Sequence, residues 1–444
     1  MTAARTDGRQ GDVVDPYLPR HGHAGVHVTR YELELDYRVA SNRLSARARL
    51  HATATRASSR FVLDLVGLRV SRITVNGRRV TRWSHRGGAL SIVPDAPLAI
   101  GSSLVVDIEY GGHPRPTEGP WGEVGWEELT DGVIVAGQPD GAPSWFPCND
   151  DPSDKASFQI AVTAESAYQV LANGTLTSRS ARASRTRWVY EQTEPMAPYL
   201  ATVQIGRYTT ITLDTGYVPQ HAALPGRLEA AFRHDFARQP SMLQVFDDLF
   251  GPYPFTRYDV VVTDDDLEIP LEAQGMSVFG ANHVDGRRGS ERLIAHELAH
   301  QWFGNSVTAA HWQHIWLHEG FACYAEWLWS ERSGGPDADV LADRSWTMLD
   351  GLPQDLLVGD PGPDLMFDDR VYRRGALTLH ALRRTVGDDV FFSTLRTWTS
   401  TYRHGSATTE MFVDCAERRA HRDLTPLFDA WLMRPALPAL SGLT

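Results

Sequence analysis

The chain has 444 residues, of which 42% are hydrophobic and 22% are charged, and its formal net charge is −12. This is the composition of a globular protein that is long enough for two or three domains with a sizeable core. The negative net charge argues against nucleic acid or an anionic membrane as the main partner. It is compatible with a site that attracts cationic groups such as a free amine.

The N-terminal segment is polar and rich in Gly, Arg and Asp, which predicts a flexible stretch over residues 1–25. It lacks the apolar core of a signal peptide, and no run in the chain approaches the roughly 18 apolar residues of a membrane span. The cysteines Cys148, Cys323 and Cys415 are too few and too scattered for a disulfide framework. We therefore expect a cytoplasmic protein that does not enter a membrane.

The first half of the chain alternates between apolar and polar residues, which is the period of half-buried strands. The alternation is clearest over residues 31–37 and 44–50, and the pair Asn76-Gly77 is typical of a type I′ hairpin. Further short strands follow, with almost no helical period between them, at 104–110, 158–164, 186–191 and 200–205. This pattern predicts an N-terminal β-sandwich domain over residues 26–207.

The second half shows the 3.6-residue period of amphipathic helices. A helix is predicted over residues 239–250, and a short buried strand follows at 259–263. From residue 292 onward helices dominate, with predicted spans at about 312–332, 338–350, 372–386, 388–401, 409–419 and 424–433. The sequence therefore predicts a second, mainly helical domain over residues 208–444.

One helical segment carries a metal-binding signature, His296-Glu297-Leu298-Ala299-His300. Histidines at i and i+4 lie on one face of a helix, where they can bind Zn²⁺ with the intervening glutamate as general base. In a chain with 17 His, about 0.03 such matches are expected by chance, so the motif favours a metal site. The candidate for a third ligand is Glu319, after eighteen intervening residues. Ser290 is the predicted cap of this helix, and Gly304-Asn305 is its predicted end.

Three further motifs accompany this signature. Trp316–Ala322 reads W-L-H-E-G-F-A, and Val371–Ala376 reads V-Y-R-R-G-A. Gln138-Pro139-Asp140 is followed by Phe146–Asp150, which reads F-P-C-N-D. In this order they resemble the W-L-N-E-G-F-A, V-Y-x-K-G-A and T-Q-x-E … F-P-C-x-D motifs of the M1 (gluzincin) family of zinc aminopeptidases. The resemblance covers the chain from about residue 25 to its end.

The resemblance implies an α+β multidomain fold, in which the β-sandwich is followed by a thermolysin-like, mainly helical zincin catalytic domain. It implies one Zn²⁺ per chain, bound by His296, His300 and Glu319. Glu297 would take a proton from the zinc-bound water and pass it to the leaving amine, and Tyr372 would donate a hydrogen bond to the oxyanion. The implied function is the release of N-terminal amino acids from peptides, by attack of that water on the first peptide bond.

The resemblance also assigns residues to the free N-terminus of the peptide partner. Glu272 matches the glutamate of the family's G-x-M-E-N segment, although Gly, Met and Asn are replaced here, and Glu268 is a rival carboxylate. Gln138 and Asp140 match the residues that line the first substrate pocket and share the amine. His318 stands where the family commonly has Asn, and we expect it to support Glu319 rather than to compete with it as a ligand.

Other functions stay open at this level. An endopeptidase or an epoxide hydrolase would keep the fold and the metal but change the reaction, and Glu272 favours amine binding over both. A non-catalytic peptide-binding protein would keep only the scaffold. The presence of all three zinc ligands and of the general base disfavours this alternative. Many relatives carry a further helical domain above the active site. Here residues 427–432 resemble the end of the catalytic domain, so a more open cleft is expected. No motif specifies the oligomeric state.

Overall fold

The computed structural model describes residues 14–440. Residues 14–25, which the sequence predicts to be flexible, are partly buried against the rest of the chain. Residues 1–13 lie outside the described residues. Asp15, Tyr17 and Leu18 are buried. The Asp15 carboxylate accepts a 2.6 Å hydrogen bond from the Trp312 amide, and the Tyr17 hydroxyl accepts a 2.7 Å bond from the Gly362 amide. The structure differs from the prediction because this segment, although polar on average, contains two side chains, Asp15 and Tyr17, that form hydrogen bonds with the second half of the chain.

The first part of the chain consists almost entirely of strands. Alternate side chains of the first strand are buried, as the sequence period predicts. The strands are, in order, β1 (Val26–Arg38), β2 (Arg43–Ala54), β3 (Phe61–Asp64), β4 (Arg69–Val75), β5 (Arg78–Arg79), β6 (Arg82–Arg86), β7 (Ala89–Val93), β8 (Ser103–Gly112), β9 (Thr117–Gly119), β10 (Gly122–Leu129), β11 (Gly132–Ala136), β12 (Ala156–Glu165), β13 (Gln169–Ala172), β14 (Thr175–Arg182), β15 (Arg185–Met196) and β16 (Val203–Gly206).

These strands form an eight-stranded sheet in the order β14-β15-β12-β1-β2-β8-β4-β5, a five-stranded sheet β13-β16-β11-β10-β9 and a three-stranded sheet β3-β7-β6. Strand β1 runs parallel to β12 and antiparallel to β2. On the inner face of the large sheet, Tyr31 stacks on Phe158 with ring centroids 4.7 Å apart. Tyr37 meets Trp126 of β10 at 4.9 Å. Aromatic side chains therefore fill the core between the eight-stranded and five-stranded sheets.

The second part combines a five-stranded sheet, ordered β17-β18-β19-β21-β20, and a two-stranded sheet, β22-β23, with helices. Strand β20 is an edge strand that pairs antiparallel with β21. The elements are β17 (Thr209–Asp214), β18 (Gln220–Leu224), α1 (Glu229–Asp235), α2 (Gln239–Phe250), β19 (Tyr258–Val262), β20 (Leu271–Ala273), β21 (Met276–Phe279), α3 (Glu291–Ala299), β22 (Thr308–Ala309), α4 (Trp316–Arg332), α5 (Ala338–Asp350), α6 (Asp369–Val386), α7 (Asp388–Thr401), β23 (Ser406–Ala407), α8 (Thr409–Ala420) and α9 (Thr425–Leu432).

The predicted spans of α2, α5 and α7 agree with the structure, but the helix with the histidine pair differs at both ends. Ser290 makes no side-chain capping bond, and α3 ends at Ala299 rather than near Gly304. Beyond Ala299 the chain forms a 3₁₀-type turn, in which the Gln301 amide donates a 3.1 Å hydrogen bond to the Leu298 carbonyl. Gly304 has a φ of +116°, which a residue without a side chain adopts readily.

The boundary predicted at residues 207–208 stays a prediction. Strand β16, which ends at Gly206, belongs to a sheet of the first part, and β17, which begins at Thr209, belongs to a sheet of the second. All three cysteines are buried and carry free thiols. Between residues 14 and 440, no helix combines the length and the apolar character needed to cross a membrane.

Candidate metal centre and active site

Helices α3 and α4 bring the three predicted zinc ligands together: His296 lies in α3, His300 follows its last residue, and Glu319 lies in α4. The Nε2 atoms of His296 and His300 lie 3.4 and 3.5 Å from one carboxylate oxygen of Glu319. Four-coordinate zinc with bonds near 2.05 Å has ligand–ligand edges of about 3.4 Å, so these atoms can share one tetrahedral ion. All three side chains are buried. The donor set of two imidazoles and one carboxylate therefore fits Zn²⁺ in chemistry and in spacing.

The other nitrogen of each imidazole is already occupied. His296 Nδ1 lies 2.8 Å from the Glu326 carboxylate, and His300 Nδ1 lies 3.0 Å from the Phe303 carbonyl oxygen. Both partners are acceptors, so each Nδ1 carries the proton and each Nε2 keeps its lone pair for a metal. Burial lowers the pKa of His300 to about 4, which keeps this ring neutral.

Glu326 is the site residue that the sequence analysis missed. Its carboxylate contacts His296 and also accepts bonds of 2.9 and 3.0 Å from Arg292. Glu326 follows Glu319 by seven residues, or two turns of α4, so both carboxylates lie on one face of the helix. That spacing was the available signal, because a histidine ligand usually donates its second N–H to a carboxylate or carbonyl.

Two glycines set the distance between α4 and α6. A Cβ atom added to Gly375 would lie 2.8 Å from the Gly320 Cα, closer than side-chain carbons approach one another. Gly320 follows Glu319, and Gly375 lies one turn after Tyr372. The close approach therefore brings Tyr372 beside the metal ligands, with its ring centroid 6.1 Å from that of His296.

Two further carboxylates lie beside the metal ligands. Ligand atoms of Glu272, Glu297 and His300 all lie within 4.8 Å of one another. Burial raises the pKa of Glu297 to about 7, and among the residues described its Oε2 has no hydrogen-bond partner. Burial, with the charges of Glu319 and Glu297, also raises the pKa of Glu272. The rival Glu268 is exposed on the lip of the cleft, so the geometry favours Glu272 as the amine anchor.

The structure separates the two residues predicted to line the first substrate pocket. Gln138 lines the cleft together with Glu272, and its amide nitrogen has no partner in residues 14–440. Asp140 is not among the residues that line the cleft. Its carboxylate lies 3.6 Å from His21 Nε2, on the side of the N-terminal segment. The predicted contact of Asp140 with the substrate amine is therefore not supported, because its side chain points toward a histidine that the sequence analysis had placed in a flexible tail.

His318 binds backbone rather than metal. Its Nε2 accepts a 2.7 Å hydrogen bond from the Ala309 amide, and the ring is fully buried. Burial lowers the pKa of His318 to about 3, so the ring is neutral and can accept that bond. His318 therefore does not compete with Glu319 as a ligand, and it fixes the chain that precedes α4.

The reacting groups lie in a cleft of about 1740 Å³. One end is bridged by Trp121 from the hairpin β9–β10. Its indole nitrogen donates a 2.9 Å hydrogen bond to the Pro363 carbonyl, and its ring contacts Phe367 edge-on at 6.0 Å. The first half of the chain thus contributes one wall of the cleft and contacts the segment that leads into α6.

Comparison with known families accounts for both halves of the chain. The Peptidase M1 N-terminal domain matches residues 27–200, and the Peptidase family M1 domain matches residues 235–431. The chain belongs to peptidase family M1. Its resemblance to this family and its predicted fold class are thereby confirmed. This M1 peptidase is a zinc-dependent hydrolase of peptide bonds, and Zn²⁺ is its cofactor.

Solved structures of similar proteins extend over almost the whole M1 peptidase. The M1 zinc metallopeptidase of Deinococcus radiodurans is 31% identical, with a TM-score of 0.88, over 96% of this chain and 98% of that chain. A mutant of the Deinococcus protein bound to a Tyr-Ser-Ala substrate is 30% identical, with a TM-score of 0.89, over 97% of this chain and 99% of that one.

Curated relatives are longer. Leucine aminopeptidase 2-1 of Meyerozyma guilliermondii is 27% identical over 95% of this chain and 71% of its own length. Leucyl aminopeptidase of Saccharolobus solfataricus is 23% identical over 93% of this chain, which spans about half of that relative, 54%.

Proposed function

We propose that this M1 peptidase is an aminopeptidase that releases N-terminal residues from peptides, with one Zn²⁺ held by His296, His300 and Glu319. The observation that carries the proposal is the convergence of both Nε2 atoms on one Glu319 oxygen, at 3.4 and 3.5 Å. Two carboxylates, Glu297 and Glu272, lie within 4.8 Å of His300. A metal site with a base and a separate anionic group can both cleave a peptide bond and recognise a free amine.

The chain's own residues have distinct roles in cleavage. Zn²⁺, when bound, supplies a Lewis acid that polarises the scissile carbonyl and makes water acidic enough to attack near neutral pH. Glu297 takes the proton of the attacking water and delivers it to the leaving amine. Its Oε2 is free of hydrogen bonds to the residues described, so it is available for that transfer. The Tyr372 hydroxyl donates a hydrogen bond to the oxygen on which negative charge develops.

Recognition of the free N-terminus falls to Glu272. This carboxylate lies on the edge strand β20, beside the base and next to the metal ligands. An ammonium bound there puts the first peptide bond, rather than an internal one, beside Glu297. Gln138 lines the same part of the cleft and offers an amide to the first residue of the substrate. The names of the yeast and archaeal relatives, both leucine or leucyl aminopeptidases, support the same substrate class.

The test uses purified protein and aminoacyl-anilide substrates. Turnover should stop with a chelator and return with Zn²⁺. Glu297→Gln should keep its zinc but lower kcat by about 100-fold or more, because a general base typically contributes 10²–10⁴ in rate. Acetylation of the substrate amine should abolish cleavage by the wild type. An active Glu297→Gln enzyme would contradict the role of the base, and cleavage of acetylated peptides would indicate an endopeptidase.

We propose a cytoplasmic location, since all three cysteines are buried as free thiols and pair with nothing. Fractionation of cells that produce the protein tests this, and recovery outside the cytoplasm would contradict it.

A further inference from the structure

The groups that bind and cleave the peptide give the cleft a direction. On one side, Glu272 lies next to Glu297 and His300. On the other side, His296 contacts Glu326 at 2.8 Å, and the ring of Tyr372 faces it. A peptide whose ammonium is at Glu272 and whose first bond is beside Glu297 therefore extends its remaining residues toward the His296 side. This inference rests on the aminopeptidase function proposed above.

Arg373 lies on that second side. It follows Tyr372 on α6, is half-buried and lines the cleft with Arg292 and Cys323. Burial raises the pKa of the Cys323 thiol, while the charges of Arg373 and Arg292 lower it, so both guanidinium groups lie near this thiol. Two cations therefore flank the part of the cleft that receives the leaving part of the substrate.

Only one of these cations is free to bind an anion from outside. Arg292 contacts both oxygens of Glu326 at 2.9 and 3.0 Å. Across residues 14–440, no carboxylate lies within 4.0 Å of the Arg373 guanidinium, including that of Asp369, which precedes it by one turn of α6. A half-buried guanidinium has five donors and a full charge, and a carboxylate is the planar anion that it binds best.

The rest of the cleft lining carries more carboxylates than cationic side chains. Within the described part of the chain, several lining carboxylates have no ion pair: Glu123, Glu127, Asp266, Glu268, Asp364 and Asp369. These carboxylates attract the ammonium end of a peptide and repel its carboxylate end. Because these carboxylates repel an anion, the unpaired and half-buried guanidinium of Arg373 is the group in this lining that suits the carboxylate end of a zwitterionic peptide.

We propose that Arg373 binds a substrate carboxylate on the leaving-group side, foremost the terminal carboxylate of a short peptide. An extended tripeptide spans about 10 Å, so its terminal carboxylate stays inside a cleft of about 1740 Å³. The enzyme therefore favours short peptides with a free C-terminus. A side-chain carboxylate in the second or third residue presents the same chemistry from another source.

The experiment compares kcat/KM for three substrates, Leu-Gly-Gly, its C-terminal amide and Leu-Asp-Gly amide. The wild type should prefer the acid over the amide by about 10-fold, as expected for one charge-assisted hydrogen-bonded pair in a partly desolvated cleft. In Arg373→Gln this ratio should fall to about 1, and Arg373→Lys should keep part of it. If Leu-Asp-Gly amide exceeds Leu-Gly-Gly in the wild type alone, the side-chain carboxylate is the preferred source.

The matched control is Arg384→Gln, which removes an arginine of the same helix that pairs with Asp339 and does not line the cleft. It should keep the wild-type ratio. An acid-to-amide ratio near 1 in the wild type, or an unchanged ratio in Arg373→Gln, would overturn the proposal. Calorimetric binding of the acid and the amide to zinc-loaded Glu297→Gln gives the same comparison without turnover. An enzyme inactive on every substrate would contradict the aminopeptidase function, while this binding ratio would still decide the role of Arg373.

Discussion

Removing the Glu326 carboxylate should weaken zinc binding although Glu326 is not itself a ligand. Its oxygen holds His296 Nδ1 at 2.8 Å, and its side chain is 5% exposed. A buried hydrogen bond to a charged group contributes about 1.5–3 kcal/mol, which corresponds to roughly 10- to 100-fold in an equilibrium constant. Loss of a carboxylate that bonds to a metal-binding histidine typically lowers metal affinity by a similar factor, about 10–100-fold. Glu326→Ala should therefore raise the zinc dissociation constant by about that factor.

The assay is competition for zinc between the protein and a chromophoric chelator. Glu326→Gln can still accept the hydrogen bond but lacks the charge, so we expect a loss of only a few-fold. Glu331→Gln is the control, because Glu331 lies on the same helix but pairs with Arg383 instead of a histidine ligand. At saturating zinc, Glu326→Ala should recover much of its activity. Wild-type zinc affinity in Glu326→Ala would refute the inference that this carboxylate orients His296.

Two other predictions concern how the site is held. Gly375→Ala adds a Cβ 2.8 Å from the Gly320 Cα, so α4 and α6 must separate. We expect a loss of about 1–3 kcal/mol in stability and at least about 10-fold in kcat/KM, and unchanged melting and kinetics would contradict the packing argument. Lys155 is buried and donates bonds of 3.0 and 2.9 Å to the Asn305 and Ser306 carbonyls. Burial lowers its pKa to about 7, so between pH 7 and 9 the unfolded chain binds more protons than the folded one. The free energy of unfolding of the wild type should therefore rise by about 1–3 kcal/mol relative to Lys155→Met over that range, and denaturant titrations at both pH values that show a constant difference would contradict it.

The parts of the fold that the sequence predicted are those with strong local signals. The alternation over residues 31–37 and the helical period of α5 and α7 survive in the structure because burial selects those periods directly. The parallel pairing of β1 with β12 had no such signal, since pairing depends on which distant strands meet. The same holds for the contact between Asp15 and the Trp312 amide, whose residues are separated by almost 300 positions.

In the candidate site, too, the residues that could be predicted are those with a local sequence signal. His296, His300 and Glu319 could be found because one helix fixes the first two and a motif fixes the third. Asp140 occupied the expected sequence position, yet its direction depends on a turn and on His21, which no local pattern encodes. Arg373 stood within a motif position that the family leaves free, and its importance emerges only from the absence of a carboxylate partner within the described residues.

The central claim is that His296 of α3, His300 directly after that helix and Glu319 of α4 bind one zinc ion. A crystal of the zinc-loaded protein, measured on both sides of the zinc absorption edge, tests it most directly. The account predicts a single anomalous peak per chain, about 2.0–2.2 Å from Nε2 of His296, Nε2 of His300 and a carboxylate oxygen of Glu319. A peak held by other residues, or no peak at this position, would contradict it.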